Sequence, residues 1–510
     1  MTERESTILQ LLATGAARAT ALNAPGGAPL VYQGLRDLVS ETLGGLARRG
    51  IGRNDRVAIV LHNGPEMAAA FLSVASGATA APLNPSYRAE EFEFFLTDLG
   101  AKLVIVGHDS TSPAVHVAGK LAIPVAWLVP HPDRGAGSFT LEFSNGTVSH
   151  RAAPPEAARE DDVALVLHTS GTTSRPKLVP LSQRNICASA RNIRRTLSLR
   201  PDDRGLAVMP LFHIHGLMAA LLAPLLAGGE VCCTPGFNAL KFFSWLADVR
   251  PTWYTAVPTM HQAILARSAG HADVAQRSRL RFVRSSSSAL PPTVIGQLED
   301  VFHAPVIESY GMTEAAHQMT SNPLPPGVRK PGTVGTEAGP EVRVVDERGE
   351  PLPPGHTGEI VIRGENVMGG YDNNPGANAS AYILDWFRTG DQGVMDTDGY
   401  LSITGRLKEI INRGGEKISP REVDEILLEH PAVHQCVTFA VPHEMLGEEV
   451  AAAIVLKDGA QATDKELRQF AAGRLAPFKV PSRIVLLKEI PVGPTGKLQR
   501  IGLARTLGLS

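Results

Sequence analysis

The chain has 510 residues, too long for one domain of the usual ~100–150 residues. With 49 Lys+Arg against 51 Asp+Glu, its formal net charge of -2 removes the electrostatic case for a nucleic-acid binder, which needs a basic excess or patch. Hydrophobic residues at 43% and charged residues at 20% suit a soluble chain with several cores, and 49 Gly with 38 Pro exceed the usual share without reaching low complexity, which places the surplus in ordered loops. The amino terminus carries Glu3, Arg4 and Glu5 and lacks the uninterrupted apolar stretch of a signal peptide. From Asp55 the pattern alternates: strand 56–62, helix 65–76, strand 78–83, helix 89–99, strand 102–106. A second round predicts strand 206–210, helix 217–226, strand 230–234, helix 239–249, strand 253–257, helix 259–267, strand 280–284, helix 292–302 and strand 306–310. Such alternation predicts parallel sheets covered by helices. The apolar run 216–229 is too short for a bilayer, which takes ~20 residues.

After Asn322 the texture changes. Runs 342–345 and 359–363 flank the turn-rich segment 347–358 and predict antiparallel β structure. Residues 407–510 predict a mixed unit with helix 420–429, strands 435–441 and 449–456, helix 464–475 and strand 483–487. Cys187, Cys232, Cys233 and Cys436 show neither a CxxC pair nor ligand spacing, so disulfides and structural zinc are not expected and a reduced, cytoplasmic chain is.

The sharpest local signal follows the apolar strand 163–167. Thr169, Ser170, Gly171, Thr172, Thr173, Ser174, Arg175, Pro176 and Lys177 concentrate hydroxyls, a glycine and two cations, the donors that phosphate oxygens need. The GxxxxGK[ST] spacing is absent, so this is not a P-loop. By composition alone the stretch reads as a polar surface turn. Taken singly, Tyr310 reads as core, Asp391 as a turn residue bonding its own backbone, and Lys497 as a solvated loop lysine.

Four further loops reverse those readings: Glu308-Ser309-Tyr310-Gly311-Met312-Thr313-Glu314, Arg388-Thr389-Gly390-Asp391, Gly405-Arg406-Leu407-Lys408-Glu409 and Pro494-Thr495-Gly496-Lys497. In this order, with 169–177, they resemble the adenylate-forming superfamily over essentially the whole chain. The resemblance implies an α/β fold. A large N-terminal domain, 1–405, would hold two α/β subdomains with parallel sheets plus a β-barrel-like subdomain. A hinge at 406–408 would lead to a small mobile α+β domain, 409–510. It also implies that a carboxylate attacks the α-phosphate of ATP and that coenzyme A then displaces AMP, with Mg²⁺ as the metal. On that resemblance 169–177 wraps the β- and γ-phosphates. Glu308, Ser309, Tyr310, Gly311 and Met312 line the adenine pocket with Ser287, and Thr313 donates to the α-phosphate. Glu314 is the metal ligand, Asp391 and Arg406 meet the ribose, and Lys497 neutralises charge developing at phosphorus. Lys408 is the hinge, and Arg413, Gly414, Gly415 and Glu416 line the CoA tunnel; without the resemblance Gly414-Gly415 reads as a hairpin turn. Ser174 and Leu178 stand where the family usually has Gly, and Gly376 where it often has Glu.

The acid is read from histidines. His213 and His215 in PLFHIHG, His261, and His317 after Ala315-Ala316 offer donors that a long alkyl chain does not use, whereas a short dicarboxylate must have its second charge paired. The phrases around them most resemble oxalyl-CoA synthetases. His213, His215, Ser287, Ser288 and His317 are therefore the candidate acyl-substrate residues, and oxalate the candidate acid; His261 also reads as a core residue. The expected partners are small molecules, with no nucleic acid and no integral membrane association, in a monomer or homodimer. A fatty or aryl acid–CoA ligase and a non-catalytic nucleotide-binding scaffold are the alternatives. An amino-acid-activating module is disfavoured for want of an ammonium-anchoring Asp and a carrier domain.

Overall fold

Helices that begin with proline recur along the chain: Pro65–Ala75, Pro113–Lys120, Pro258–Ser268, Pro292–Phe302 and Pro420–Leu428. Proline at the first helical position forgoes an N–H that has no intrahelical partner there, which accounts for part of the proline surplus. The computed structural model describes residues 5–144, 156–169, 176–491 and 500–509. The chain divides into two compact units. The larger runs to Thr169 and takes Leu178–Val342 and Arg363–Ala379; the smaller takes Arg343–Ile362 and the chain from Ser380 onward.

The larger unit is built on two sheets. The seven-stranded one places Arg56–Val60 at its centre, parallel to Thr79–Pro82 and Leu103–Gly107. The nine-stranded one runs parallel from Thr20–Asn23 through Glu230–Cys233, Arg204–Ala207, Trp253–Ala256 and Phe282–Ser285 to Val306–Met312. Both sheets close on antiparallel edge strands. The central strands are buried on both faces, as parallel strands under helices must be. Leu206, Tyr254 and Val283 share one core with Phe242, Leu246, Ile264, Leu298 and Phe302 from the covering helices. The alternation read from the sequence is thus observed, and helices Ala89–Leu99 and Pro292–Phe302 have the expected bounds.

One helix differs. The expected 217–226 α-helix is a π-helix over Gly216–Leu222 continued by a short α-turn at Ala223–Leu226. Pro224 supplies no N–H to an α ladder, and the Ala223 N–H reaches back to the Met218 carbonyl, five residues away. Gly216, at its start, lies so close to the Pro210 carbonyl that a Cβ would come within 2.2 Å of it. The loop carrying His213 and His215 is thereby closed tightly on the Met209–Pro210 segment at its start.

In the smaller unit Trp386–Met395 pairs antiparallel with Thr357–Arg363 on one side and Leu401–Arg406 on the other. A second sheet centres on Gly447–Leu456, flanked by Val433–His443 and Arg483–Leu487. Helices Pro420–Leu428 and Asp464–Ala472 cover it through Val423, Leu427, Leu467 and Ala471. Arg413 to Glu416 is a two-residue hairpin: Ile411–Arg413 pairs with Glu416–Ile418, and Gly414 and Gly415 turn between them at φ of 58° and 98°, a conformation suited to glycine. Among the described residues no helix is long and apolar enough to cross a membrane.

Candidate active site

In an open parallel sheet the loops at the carboxyl ends of the strands form the binding crevice, and most expected site residues of the larger unit fall there. Ser285 pairs with Ala256 on one side and with Glu308 on the other. Beyond these ends the chains are stitched together: Ser286 Oγ donates to the Ser309 carbonyl at 2.9 Å, and Ser309 Oγ to the Ser285 carbonyl at 3.4 Å. Glu308, Ser309 and Tyr310 are buried, and Gly311, Met312 and Thr313 are half-buried. Ser287 is half-buried with φ of 73°, and Ser288 is exposed. The strand end turns through the short Thr313–Ala315 helix and returns as His317–Ser321, with Ala316 and His317 both at positive φ. Gly311 makes the turn possible, because a Cβ on it would lie 1.8 Å from the His317 carbonyl oxygen. Gly311→Ala is expected to destabilise the protein by about 1–3 kcal/mol or more through forced backbone movement. Thermal unfolding checks this; an unchanged melting temperature would contradict it.

Glu314 is buried and held from a loop that the sequence reading passed over. Tyr371 Oη donates to Glu314 Oε1 at 2.8 Å, the Met368 N–H donates to the Glu314 carbonyl at 2.8 Å, and Asn366 Nδ2 donates to the Ala315 and Gln318 carbonyls at 2.7 and 3.2 Å. The available signal was Tyr371 itself, an aromatic just ahead of Asp372-Asn373-Asn374-Pro375, where only the downstream Gly376 drew notice. Among the described residues no group of three or more His, Cys, Asp or Glu gathers to hold a metal. A single carboxylate fits Mg²⁺ that arrives with nucleotide phosphates and keeps several waters.

The histidines separate into distinct environments. His213 is half-buried against Phe212. His215 and His317 are both 2% exposed and stack, ring centroids 4.7 Å apart with 19° between planes. His215 Nδ1 lies 3.0 Å from Ser287 Oγ and its Nε2 2.6 Å from Thr255 Oγ1. Arg284, wholly buried, reaches His215 Nε2 and Thr255 Oγ1 through Nη1 and Gln318 Oε1 through Nη2. Three expected residues, His215, Ser287 and His317, are therefore brought together; Arg284, Thr255 and Gln318 were missed. His261 belongs to the core, beside Tyr254, where burial pushes its pKa down to about 4.

Strand Val163–His168 leads into Thr169 and pairs antiparallel with Leu178–Ser182, His168 opposite Leu178, so 169–177 connects the two. The strand start is fixed by Asp162, which accepts from Arg53 Nη2 at 2.8 Å and from Asn54 Nδ2 at 3.0 Å. Pro176 and Lys177 are half-buried. Ser170, Gly171, Thr172, Thr173, Ser174, Arg175 and Lys497 lie outside the described residues.

In the smaller unit Asp391 and Arg406 face one another across the antiparallel pair, Arg406 Nε to Asp391 Oδ1 at 3.0 Å, with Asp391 4% exposed. Lys408 is exposed in the Leu407–Glu409 turn. Arg413 donates to Glu449 Oε1 at 2.7 Å, and Gly414, Gly415 and Glu416 are exposed. Arg500 ties Glu409 to Asp424, at 3.0 and 2.8 Å.

Residues 10–372 match the family model of the AMP-binding enzymes, and residues 422–497 match that of the AMP-binding enzyme C-terminal domain. The oxalate–CoA ligase of Arabidopsis thaliana is 45% identical over 94% of each chain. That of Saccharomyces cerevisiae is 43% identical over 90% of this chain and 88% of its own. The crystal structure of ATP-bound MatB from Rhodopseudomonas palustris superposes with a TM-score of 0.87 at 29% identity, covering 98% of this chain and 99% of the other.

Proposed function

The chain belongs to the AMP-binding enzyme family as an ATP-dependent acid–CoA ligase, and from that premise we propose that its acid is oxalate. One observation carries the substrate: two buried, stacked imidazoles, one bonded to Ser287, Thr255 and a buried arginine, form a hydrogen-bonding surface where an alkyl chain needs an apolar one. The oxalate–CoA ligases among its relatives favour the same acid.

In this reading one oxalate carboxylate attacks the α-phosphorus of ATP and expels pyrophosphate. The coenzyme A thiol then attacks the acyl carbon and releases AMP. Tyr310 packs against adenine with Glu308, Ser309, Gly311, Met312 and Ser287 around it, and Thr313 donates to the α-phosphate. The 169–177 loop cradles the terminal phosphates and Lys497 completes the charge at phosphorus. Glu314 would hold Mg²⁺, which would supply positive charge to the phosphate oxygens. Asp391 accepts from the ribose hydroxyls with Arg406 bracing it, as their ion pair supports. His213, His215, Ser287, Ser288 and His317 receive the distal carboxylate. We assign 1–405 and 409–510 as the functional domains, 406–408 as the hinge with Lys408 at its pivot, and Arg413, Gly414, Gly415 and Glu416 to the CoA tunnel. The cytoplasm is the expected site of action, in keeping with four free, buried cysteines, for a monomer or homodimer.

Pyrophosphate release with Mg·ATP tests the substrate across oxalate, malonate, acetate, hexanoate, palmitate and coumarate, with and without coenzyme A. Oxalate should give the highest kcat/KM; preference for palmitate or coumarate sinks the substrate, and absence of pyrophosphate release with every acid favours a nucleotide-binding scaffold. His317→Ala should raise the KM for oxalate roughly 10–100-fold, the worth of a bond to a charged group, with the KM for ATP little changed.

A further inference from the structure

Arg284 is the penultimate residue of the strand Phe282–Ser285, with none of its surface exposed. Among the described residues its guanidinium meets no carboxylate. Nη1 donates to Thr255 Oγ1 and to His215 Nε2, each at 3.3 Å, and Nη2 donates to Gln318 Oε1 at 3.2 Å; Nε has no acceptor. Gln318 is itself fixed, its Nε2 donating to Thr196 Oγ1 at 3.1 Å and to the Ala338 carbonyl at 3.0 Å. Burial pushes the Arg284 pKa down to about 9, so the group is still a cation at neutral pH. A buried cation with only neutral partners is costly, and an anion arriving beside it relieves that cost.

The donors also settle the direction of the chain of hydrogen bonds. Arginine has N–H groups and no acceptor, so the His215 nitrogen it faces carries no proton. Thr255 Oγ1 accepts from Arg284 and its hydroxyl donates to the same Nε2 at 2.6 Å. The proton of the neutral ring then sits on Nδ1 and is donated to Ser287 Oγ at 3.0 Å. With its oxygen so engaged, the Ser287 hydroxyl hydrogen is turned away from His215, available to an incoming acceptor. The left-handed backbone at Ser287, φ 73°, sets this side chain off the line of the strand.

We propose that Arg284 is a positioning residue for the distal carboxylate of the acid: through Thr255 and His215 it orients Ser287 as a donor, and it supplies the buried positive charge that a dianionic acid neutralises. The inference rests on the oxalate reading above. It explains why a charge stands in the otherwise uncharged, buried strand Phe282–Ser285, and it makes the preference for a second negative charge a property of the strand behind the site.

The test compares Arg284→Met, Arg284→Lys and Thr255→Val with the wild type, reading kcat, the KM for oxalate, the KM for ATP and the melting temperature. Arg284→Met should raise the oxalate KM roughly 10–100-fold while the ATP KM stays within ~3-fold. Arg284→Lys, which keeps the charge without the fork, should recover part of the loss. Thr255→Val is nearly isosteric and keeps Arg284; it should raise the oxalate KM about tenfold and decides the matter if Arg284→Met does not fold. Oxalate and ATP KM rising together, or an unchanged oxalate KM in all three, overturns the inference and leaves the oxalate reading standing. A wild type that turns over only monoanionic acids overturns both.

Discussion

Lys497→Ala is expected to lower acyl-adenylate formation by about 10²–10³-fold, the usual cost of removing one preorganised group from developing charge. Attack on the α-phosphorus builds negative charge on the oxygens bridging to pyrophosphate, and a lysine ammonium there is stronger in the transition state than in the ground state. The second step has no pyrophosphate to expel. The variant should therefore convert a supplied acyl-adenylate and coenzyme A to thioester at a rate within a few-fold of wild type. Pyrophosphate release measures the first step and single-turnover thioester formation the second. Equal losses in both would contradict a lysine that serves adenylation alone, and with it the division of labour between the two domains.

Glu314→Gln should cost a similar factor, about 10²–10³-fold in pyrophosphate release, with a higher half-saturating Mg²⁺ concentration. The substitution is nearly isosteric and the amide oxygen can still accept from Tyr371, so the loss isolates the negative charge. Tyr371→Phe removes only the hydroxyl that donates to Glu314 Oε1. It should give a smaller fall, on the order of tenfold, from the loss of a hydrogen bond to a charged group, with a partial shift of the Mg²⁺ requirement. A Glu314→Gln enzyme with wild-type Mg²⁺ dependence would exclude Glu314 as the metal ligand and reassign its carboxylate to holding the turn at Thr313–Ala315.

Much of the architecture was legible because buried parallel strands and their covering helices leave strong periodic signals. Ala89–Leu99, Pro292–Phe302 and Arg483–Leu487 fall on the expected residues. The short edge strands were not: Thr20–Asn23 and Leu30–Val31 have 4 and 2 residues, too few to show a period. The π-helix at Gly216–Leu222 was hidden as well, since an apolar run of that length reads the same for either helix type. For the site, His215, Ser287 and His317 were named from residue type and order, and the structure gathers them.

The alternation of strands and helices by itself pointed to an α/β fold, and the ordered loops carried the resemblance to the adenylate-forming superfamily, because each of those signals lies in contiguous sequence. Which residues stand behind the histidines was decided only by tertiary structure. Arg284 contacts Thr255, Gln318 and His215 across sequence separations of 29, 34 and 69 residues, and no local pattern marks it. The physical reason is that a charge inside a buried strand has no meaning until its neighbours are known. The fold brings four separate segments to one point, and there, among the described residues, the arginine meets neutral partners and no carboxylate.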